Sequence, residues 1–138
     1  MSKQTYTSER DTYEVVEALG RGGFGETLRA QAASTGEQVV LKRLRVDRLE
    51  DWKALELFER EAAVLEQLAH AHIPRYIDHF ALGDDRGMCL VQEYVAGPTL
   101  QALMRQQERR DEDRMTRWFL ELLEVFAYLH GLDPPVIH

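Results

Sequence analysis

Cysteine is nearly missing: the 138 residues hold one, Cys89. A disulfide framework needs pairs, so cross-linking as the source of stability is excluded and a reducing compartment fits best. Cys89 lies in the apolar run Met88-Cys89-Leu90-Val91, where a thiol packs as a small apolar side chain. Long apolar runs are absent too. Nowhere do about 18 apolar residues follow one another, as a membrane-crossing helix requires, and the opening MSKQTYTSERDTY has no apolar stretch of signal-peptide length. These absences predict a cytoplasmic location and no membrane partner. Positive charge is also short, since 17 Lys and Arg face 24 Asp and Glu for a net charge of −7. Nucleic-acid affinity comes mainly from cations that neutralise phosphates, so no nucleic-acid partner is expected. What remains, 44% apolar and 30% charged residues, is the composition of one globular domain. A chain of this length buries roughly two-thirds of its unfolded surface, enough for a core without metal or disulfide.

The pattern along the chain is strand-like up to residue 45. The runs Tyr13–Leu19, Glu26–Ala30 and Gln38–Leu44 predict three strands in a meander, the last two joined by the turn cluster Ala32-Ala33-Ser34-Thr35-Gly36. From about Asp51 to Ala69 the period becomes helical. Two further strands, Tyr76–Leu82 and Met88–Tyr94, flank Gly83-Asp84-Asp85-Arg86-Gly87, a second hairpin turn. After the connector VAGPT only helical signals follow. Thr99 caps a short helix to about Gln106. The last helix carries Met115, Trp118, Phe119, Leu122, Leu123, Phe126 and Leu129 on one stripe, and Gly131 and Pro134-Pro135 end it. The charge run Glu108 to Arg114 reads as a solvated loop or helix start.

Three features carry chemistry. Gly20-Arg21-Gly22-Gly23-Phe24-Gly25 is a G-x-G-x-x-G, in which backbone N–H groups approach a phosphate closely because no Cβ intervenes. Alone it is also compatible with a ligand-free glycine-rich hairpin. A dinucleotide-binding unit would place a helix directly after the glycines, and here a strand follows. In the strand Val39-Val40-Leu41-Lys42, the period of two puts Val40 and Lys42 on one face; a lone Lys there would ordinarily face solvent. In the helix, with Leu57 at zero, Val64, Leu68, Leu57, Leu65 and Phe58 fall in an arc from roughly −20° to 100°. Glu61 falls near 40°, the one acid in that arc. Stranding one member of a buried ion pair costs about 3–5 kcal/mol, so Glu61 is expected to pair with Lys42 in the interior. The alternative sets Glu61 at the stripe's edge, bending out to water.

LGRGGFGET, VVLK, Glu61 within FEREAAVLEQL, and LVQEYVAGPTL followed by a helix and VIH together resemble the N-terminal half of a protein kinase. The nearest group is the bacterial Ser/Thr kinases of eukaryotic type. The resemblance spans about residues 13 to 138 and rests on four motifs in order. It implies an α+β fold: after an N-terminal tail (1–12), an N-lobe (13–95) of five antiparallel strands and one helix, then the first helices of an incomplete C-lobe (96–138). It further implies that Gly20, Gly22 and Gly25 cover the phosphates of ATP, that Lys42 holds the α- and β-phosphates, and that Glu61 fixes Lys42. Leu19, Thr27 and Val40 would roof the base and Gln92 would be the gatekeeper. The Glu93 carbonyl and the Val95 amide and carbonyl would meet the adenine edge. Thr27 and Val40 stand where the family usually has Val and Ala, which changes the pocket's volume.

The implied activity is phosphoryl transfer from ATP to protein Ser or Thr in a full-length parent. The alternative is a pseudokinase-like module that binds a nucleotide or a partner without transfer. The family's catalytic loop opens with a His that His138 matches; its Asp, its Asn and the Asp-Phe-Gly aspartate are not among these 138 residues. Those groups take the substrate proton and hold Mg²⁺, so no metal site is expected in the chain and no transfer by it alone. In a full kinase the rest of the C-lobe covers the Met115–Leu129 stripe, so dimerisation, a partner through that face, or aggregation is expected.

Overall fold

A computed structural model describes residues 3–22, 25–45, 52–83, 87–106 and 111–136. Gly23 and Phe24 of the glycine-rich loop, Asp51 at the expected helix start, Asp84 to Arg86 of the second turn, residues 108–110 of the charge run, and Ile137 and His138 lie outside the described residues. Two compact units are present, one of Met1–Leu68 with Pro74–Tyr94, the other of Ala69–Ile73 with Val95–His138.

The first unit is an antiparallel sheet with one helix. Its strands are β1 (Thr5–Thr7), β2 (Thr12–Gly22), β3 (Gly25–Ala32), β4 (Gln38–Arg45), β5 (Tyr76–Ala81) and β6 (Gly87–Glu93), with α1 (Trp52–Gln67) between β4 and β5. The order across the sheet is β1-β2-β3-β4-β6-β5. Among the described residues six strands replace the expected five. The extra one, β1, pairs Thr5 with Glu14 and Thr7 with Thr12; a single aromatic, Tyr6, between two threonines is too short a run for an alternation to be read.

Strand alternation divides the core in two. Val39 and Leu41 of β4, Leu28 and Ala30 of β3, and Cys89 and Val91 of β6 are buried on one face with Tyr13. On the other face, Leu44 and Leu90 meet Phe58 and Ala62 of α1. Although β1 and β5 end the sheet order, the segment after β1 reaches β5. Ser8 and the Tyr13 hydroxyl donate to the buried Asp78 carboxylate, the latter at 3.0 Å, and Arg10 Nη1 donates to the Ile77 carbonyl at 3.2 Å. The Tyr13 and Phe80 rings stack with centroids 6.1 Å apart. The sheet is therefore curled until its two edges meet around Asp78. Asp78→Ala leaves the Tyr13 hydroxyl buried without an acceptor, a loss of about 1–3 kcal/mol. Its urea midpoint is expected to fall accordingly, with Asp78→Asn losing less.

Burial pushes the Cys89 thiol up to about 12. The same cause, with Asp78 beside it, raises the Tyr13 hydroxyl above its ordinary range. A thiol whose folded value exceeds its unfolded one contributes stability fully below the unfolded value, lost as pH rises through the folded one. Stability is thus expected to decline between pH 9.0, the ordinary thiol value, and about 12. At pH 8 an alkylating reagent should label Cys89 only after denaturant is added.

The second unit holds α2 (Leu100–Arg105) and α3 (Glu112–His130). Thr99 Oγ1 caps α2 by accepting the Ala102 N–H at 3.1 Å, and Asp111 caps α3 by accepting the Asp113 and Arg114 N–H groups. The Tyr128 hydroxyl accepts the Ala69 N–H at 2.9 Å. Gly131 closes α3 through its N–H to Ala127. Leu129 is buried, while Met115, Phe119, Leu122, Leu123 and Phe126 stand exposed, so the amphipathic stripe of α3 is largely uncovered.

Candidate functional site

The register of the sheet assembles the site. Gly20 opposes Thr27, Thr27 opposes Lys42 and Lys42 opposes Leu90, one row across β2, β3, β4 and β6. Directly opposed residues share a face, so Thr27 and Lys42 lie on the α1 side with Leu90. One step of two along the strands, Val40 opposes Gln92. From α1, Glu61 brings its Oε1 to 3.8 Å from Lys42 Nζ. A cavity of about 330 Å³ opens at this pair, lined by Gly25, Thr27, Lys42, Leu57, Phe58 and Glu61 among others.

The pair forms, but not in the interior. The Lys42 and Glu61 side chains are 46% and 53% exposed. The buried side of α1 is Phe58 and Ala62, flanked by Ala54, Leu55 and Leu65, while Leu57 and Val64 are exposed. At ~100° per residue the buried arc is rotated by about 70° from the one centred on Glu61. Ala62, fully buried with Phe58, Leu44 and Leu90, belongs to this contact surface without being a large apolar side chain. Glu61 consequently sits at the edge of the buried face. No buried charge is stranded when either partner is removed, and an exposed ion pair contributes about 0–1 kcal/mol.

The glycines differ in their reasons. An ideal Cβ on Gly25, at φ +157°, would lie 1.8 Å from the Arg43 carbonyl oxygen, so the approach of β4 to β3 requires glycine there. A Cβ on Gly20 would meet nothing within 4 Å, so the sheet itself does not demand Gly20. Gly22 ends β2, opposite Gly25. Leu19 is exposed, Thr27 and Val40 are half-buried and Gln92 is buried. Glu93 is tied to Arg75, its N–H donating to the Arg75 carbonyl at 2.9 Å and its Oε1 accepting the Arg75 N–H at 3.0 Å. Val95 belongs to the second unit, where it is exposed.

One neighbour of this face has no sequence signal. Arg29 opposes Val40; its Nε lies 2.9 Å from Glu17 Oε1, its Nη1 donates to Gln38 Oε1 at 3.2 Å, and its guanidinium stands 5.6 Å from the centre of the Tyr94 ring. The four residues are scattered from 17 to 94, and only strand register joins them. Among the described residues there is no group of three or more His, Cys, Asp or Glu side chains that could hold a metal ion, and no helix long and apolar enough to cross a membrane.

A paired Lys and Glu joining strand to helix, beside a glycine turn, coincides with a match of residues 13–138 to the family described as protein kinase domain. The chain belongs to the protein kinase family. Among its relatives are serine/threonine-protein kinase B of Synechocystis sp., 36% identical over 136 residues that cover 91% of this chain and 22% of that protein. Serine/threonine-protein kinase pkn3 of Myxococcus xanthus is 32% identical over 126 residues, covering 91% of this chain and 22% of that one. An Aurora kinase of Yarrowia lipolytica is 30% identical over 128 residues, 93% of this chain and 33% of that one. The chain thus spans a fifth to a third of the length of these kinases. In this kinase domain the curled sheet with α1 is the N-lobe, and α2 and α3 begin the C-lobe. The family uses ATP with Mg²⁺ and acts on protein substrates.

Proposed function

We propose that this kinase domain binds ATP on the α1 side of its sheet and that the parent protein transfers the γ-phosphoryl group to Ser or Thr of a protein in the cytoplasm. The observation that carries the reading is the 3.8 Å approach of Lys42 Nζ to Glu61 Oε1 at the cavity mouth. An ammonium oriented by a carboxylate is a point charge ready for phosphate oxygens. The open space above Gly20 fits a polyphosphate chain passing close to the backbone. In this reading Lys42 neutralises the α- and β-phosphates, Glu61 positions Lys42, and Gly20, Gly22 and Gly25 cover the chain. Leu19, Thr27 and Val40 pack on the base, Gln92 closes the back, and the Glu93 carbonyl with the Val95 amide and carbonyl meets its polar edge. Mg²⁺ bound with ATP neutralises phosphate charge; the described residues offer no ligand cluster for it. ATP is expected to raise the melting temperature of the chain, and an unchanged melting temperature at millimolar ATP would exclude the reading.

The uncovered face of α3 favours a second reading, a non-catalytic module that joins a partner or a second copy of itself. Five large apolar side chains, Met115, Phe119, Leu122, Leu123 and Phe126, stand exposed there, each worth about 1.5–3 kcal/mol when fully buried. Light scattering is expected to show concentration-dependent association that Leu123→Ser weakens. A monodisperse monomer at high concentration would exclude association through this face.

A further inference from the structure

We propose a second binding site in this kinase domain, at the mouth of the curled sheet, for a carboxylate with an apolar body. It does not depend on the nucleotide reading. A cavity of about 540 Å³ opens there, between β1, β4 and the end of β5, within the range of small-molecule sites. Side chains alternate along β4, so Arg43 and Arg45, which line this cavity, lie on the face opposite Lys42 and Leu44. The Lys42 and Arg45 side chains thus lie on different sides of the sheet, while Arg43 lines both cavities.

The lining sets the ligand's chemistry. The Arg43 side chain is only 11% exposed and lies 3.4 Å from Glu26. It also donates to the Tyr6 hydroxyl and stacks over the Tyr6 ring at 5.9 Å. The hydroxyl accepts a second bond from Gln4 Nε2 at 2.6 Å. Having accepted twice, the phenol keeps its own O–H to give. Arg45 is exposed and, among the described residues, has no carboxylate within ion-pair distance. Glu26 is shared between Arg43 and Arg21, its Oε2 lying 3.5 Å from Arg21 Nε, so among the described residues the mouth keeps at least one net positive charge together with several donors. That balance suits one carboxylate rather than a polyphosphate or a cation. Phe80, Ala81 and Leu82 form the wall beside it, and an apolar body is what they bury.

Octanoate and octanol, titrated into the isotope-labelled 138-residue chain and followed by nuclear magnetic resonance, test the proposal. Octanoate is expected to shift the Arg43, Arg45 and Leu82 signals, and octanol to bind at least tenfold more weakly, since it lacks the charge. Arg45→Ala, an exposed change that leaves the Arg43–Glu26 pair in place, should weaken octanoate by about tenfold without moving the melting temperature. Lys42→Ala should leave octanoate affinity unchanged. Equal affinity for octanol, equal affinity after Arg45→Ala, or shifts confined to the exposed face of α3 would each overturn the site.

Discussion

On the ATP reading, Lys42→Ala is expected to remove about half or more of the thermal protection given by ATP while leaving the unliganded protein folded. A ligand at about 100 times its dissociation constant adds about 2.7 kcal/mol to the folded state. A hydrogen bond to a charged group contributes about 1.5–3 kcal/mol, so its loss weakens binding by roughly tenfold or more. At the same ATP concentration the protection then falls to about 1.4 kcal/mol or less. The half-exposed setting of the Lys42–Glu61 pair makes this a clean experiment, because an exposed ion pair contributes at most about 1 kcal/mol to folding. An interior pair would have confounded the two effects, since removing one partner would have stranded a buried charge. Unfolding with and without ATP reads both quantities. Protection equal to that of the unsubstituted chain would remove Lys42 from the site.

Gly25→Ala is expected to cost about 3 kcal/mol of folding stability, far more than Gly20→Ala, with a correspondingly lower urea midpoint. A Cβ at residue 25 would stand 1.8 Å from the Arg43 carbonyl oxygen, which is backbone of the central strand and cannot swing aside. Relief requires β3 and β4 to separate where Gly25 opposes Leu44, and overpacking of this kind costs about 1–3 kcal/mol, to which backbone strain at positive φ adds. Gly20→Ala supplies the control. Its added methyl meets nothing within 4 Å, so its stability should change by no more than about 0.5 kcal/mol. On the ATP reading it should nonetheless reduce nucleotide affinity, by standing where the phosphate chain passes. Equal stabilities for the two variants would contradict the packing described at Gly25.

The parts of this structure that were legible in the sequence are those set by strong periodicity. β2, β3, β4, α1, β5 and β6 follow from alternation, the helical period and turn residues, and Thr99 caps α2 as its acceptor side chain implies, whereas the Asp111 cap of α3 lies in a charge run that carried no such signal. The edge strand Thr5–Thr7 was not legible, because three residues with one apolar position, Tyr6, are too short to show alternation. Nor was the closure of the sheet around Asp78, which depends on Ser8 and Tyr13 meeting a carboxylate some 65 residues or more away. The pairing of Lys42 with Glu61 was anticipated through the wrong energetics. The large apolar side chains of α1 centre on Glu61, whereas the contact surface is centred on Phe58 and Ala62, and the pair is half in solvent. Its geometry follows from register and helix placement instead. The Arg29 cluster and the cavity beside Arg43 and Arg45 are products of strand pairing that no local spacing encodes.

The central claim is that Lys42 and Glu61 act together on a triphosphate, and ATP dissociation constants for Lys42→Ala, Glu61→Ala and the double variant test it most directly. If Glu61 works only through Lys42, the double variant binds no more weakly than Lys42→Ala alone, giving a coupling of about 1 kcal/mol or more. Losses that simply add, or no loss in either single variant, would contradict it.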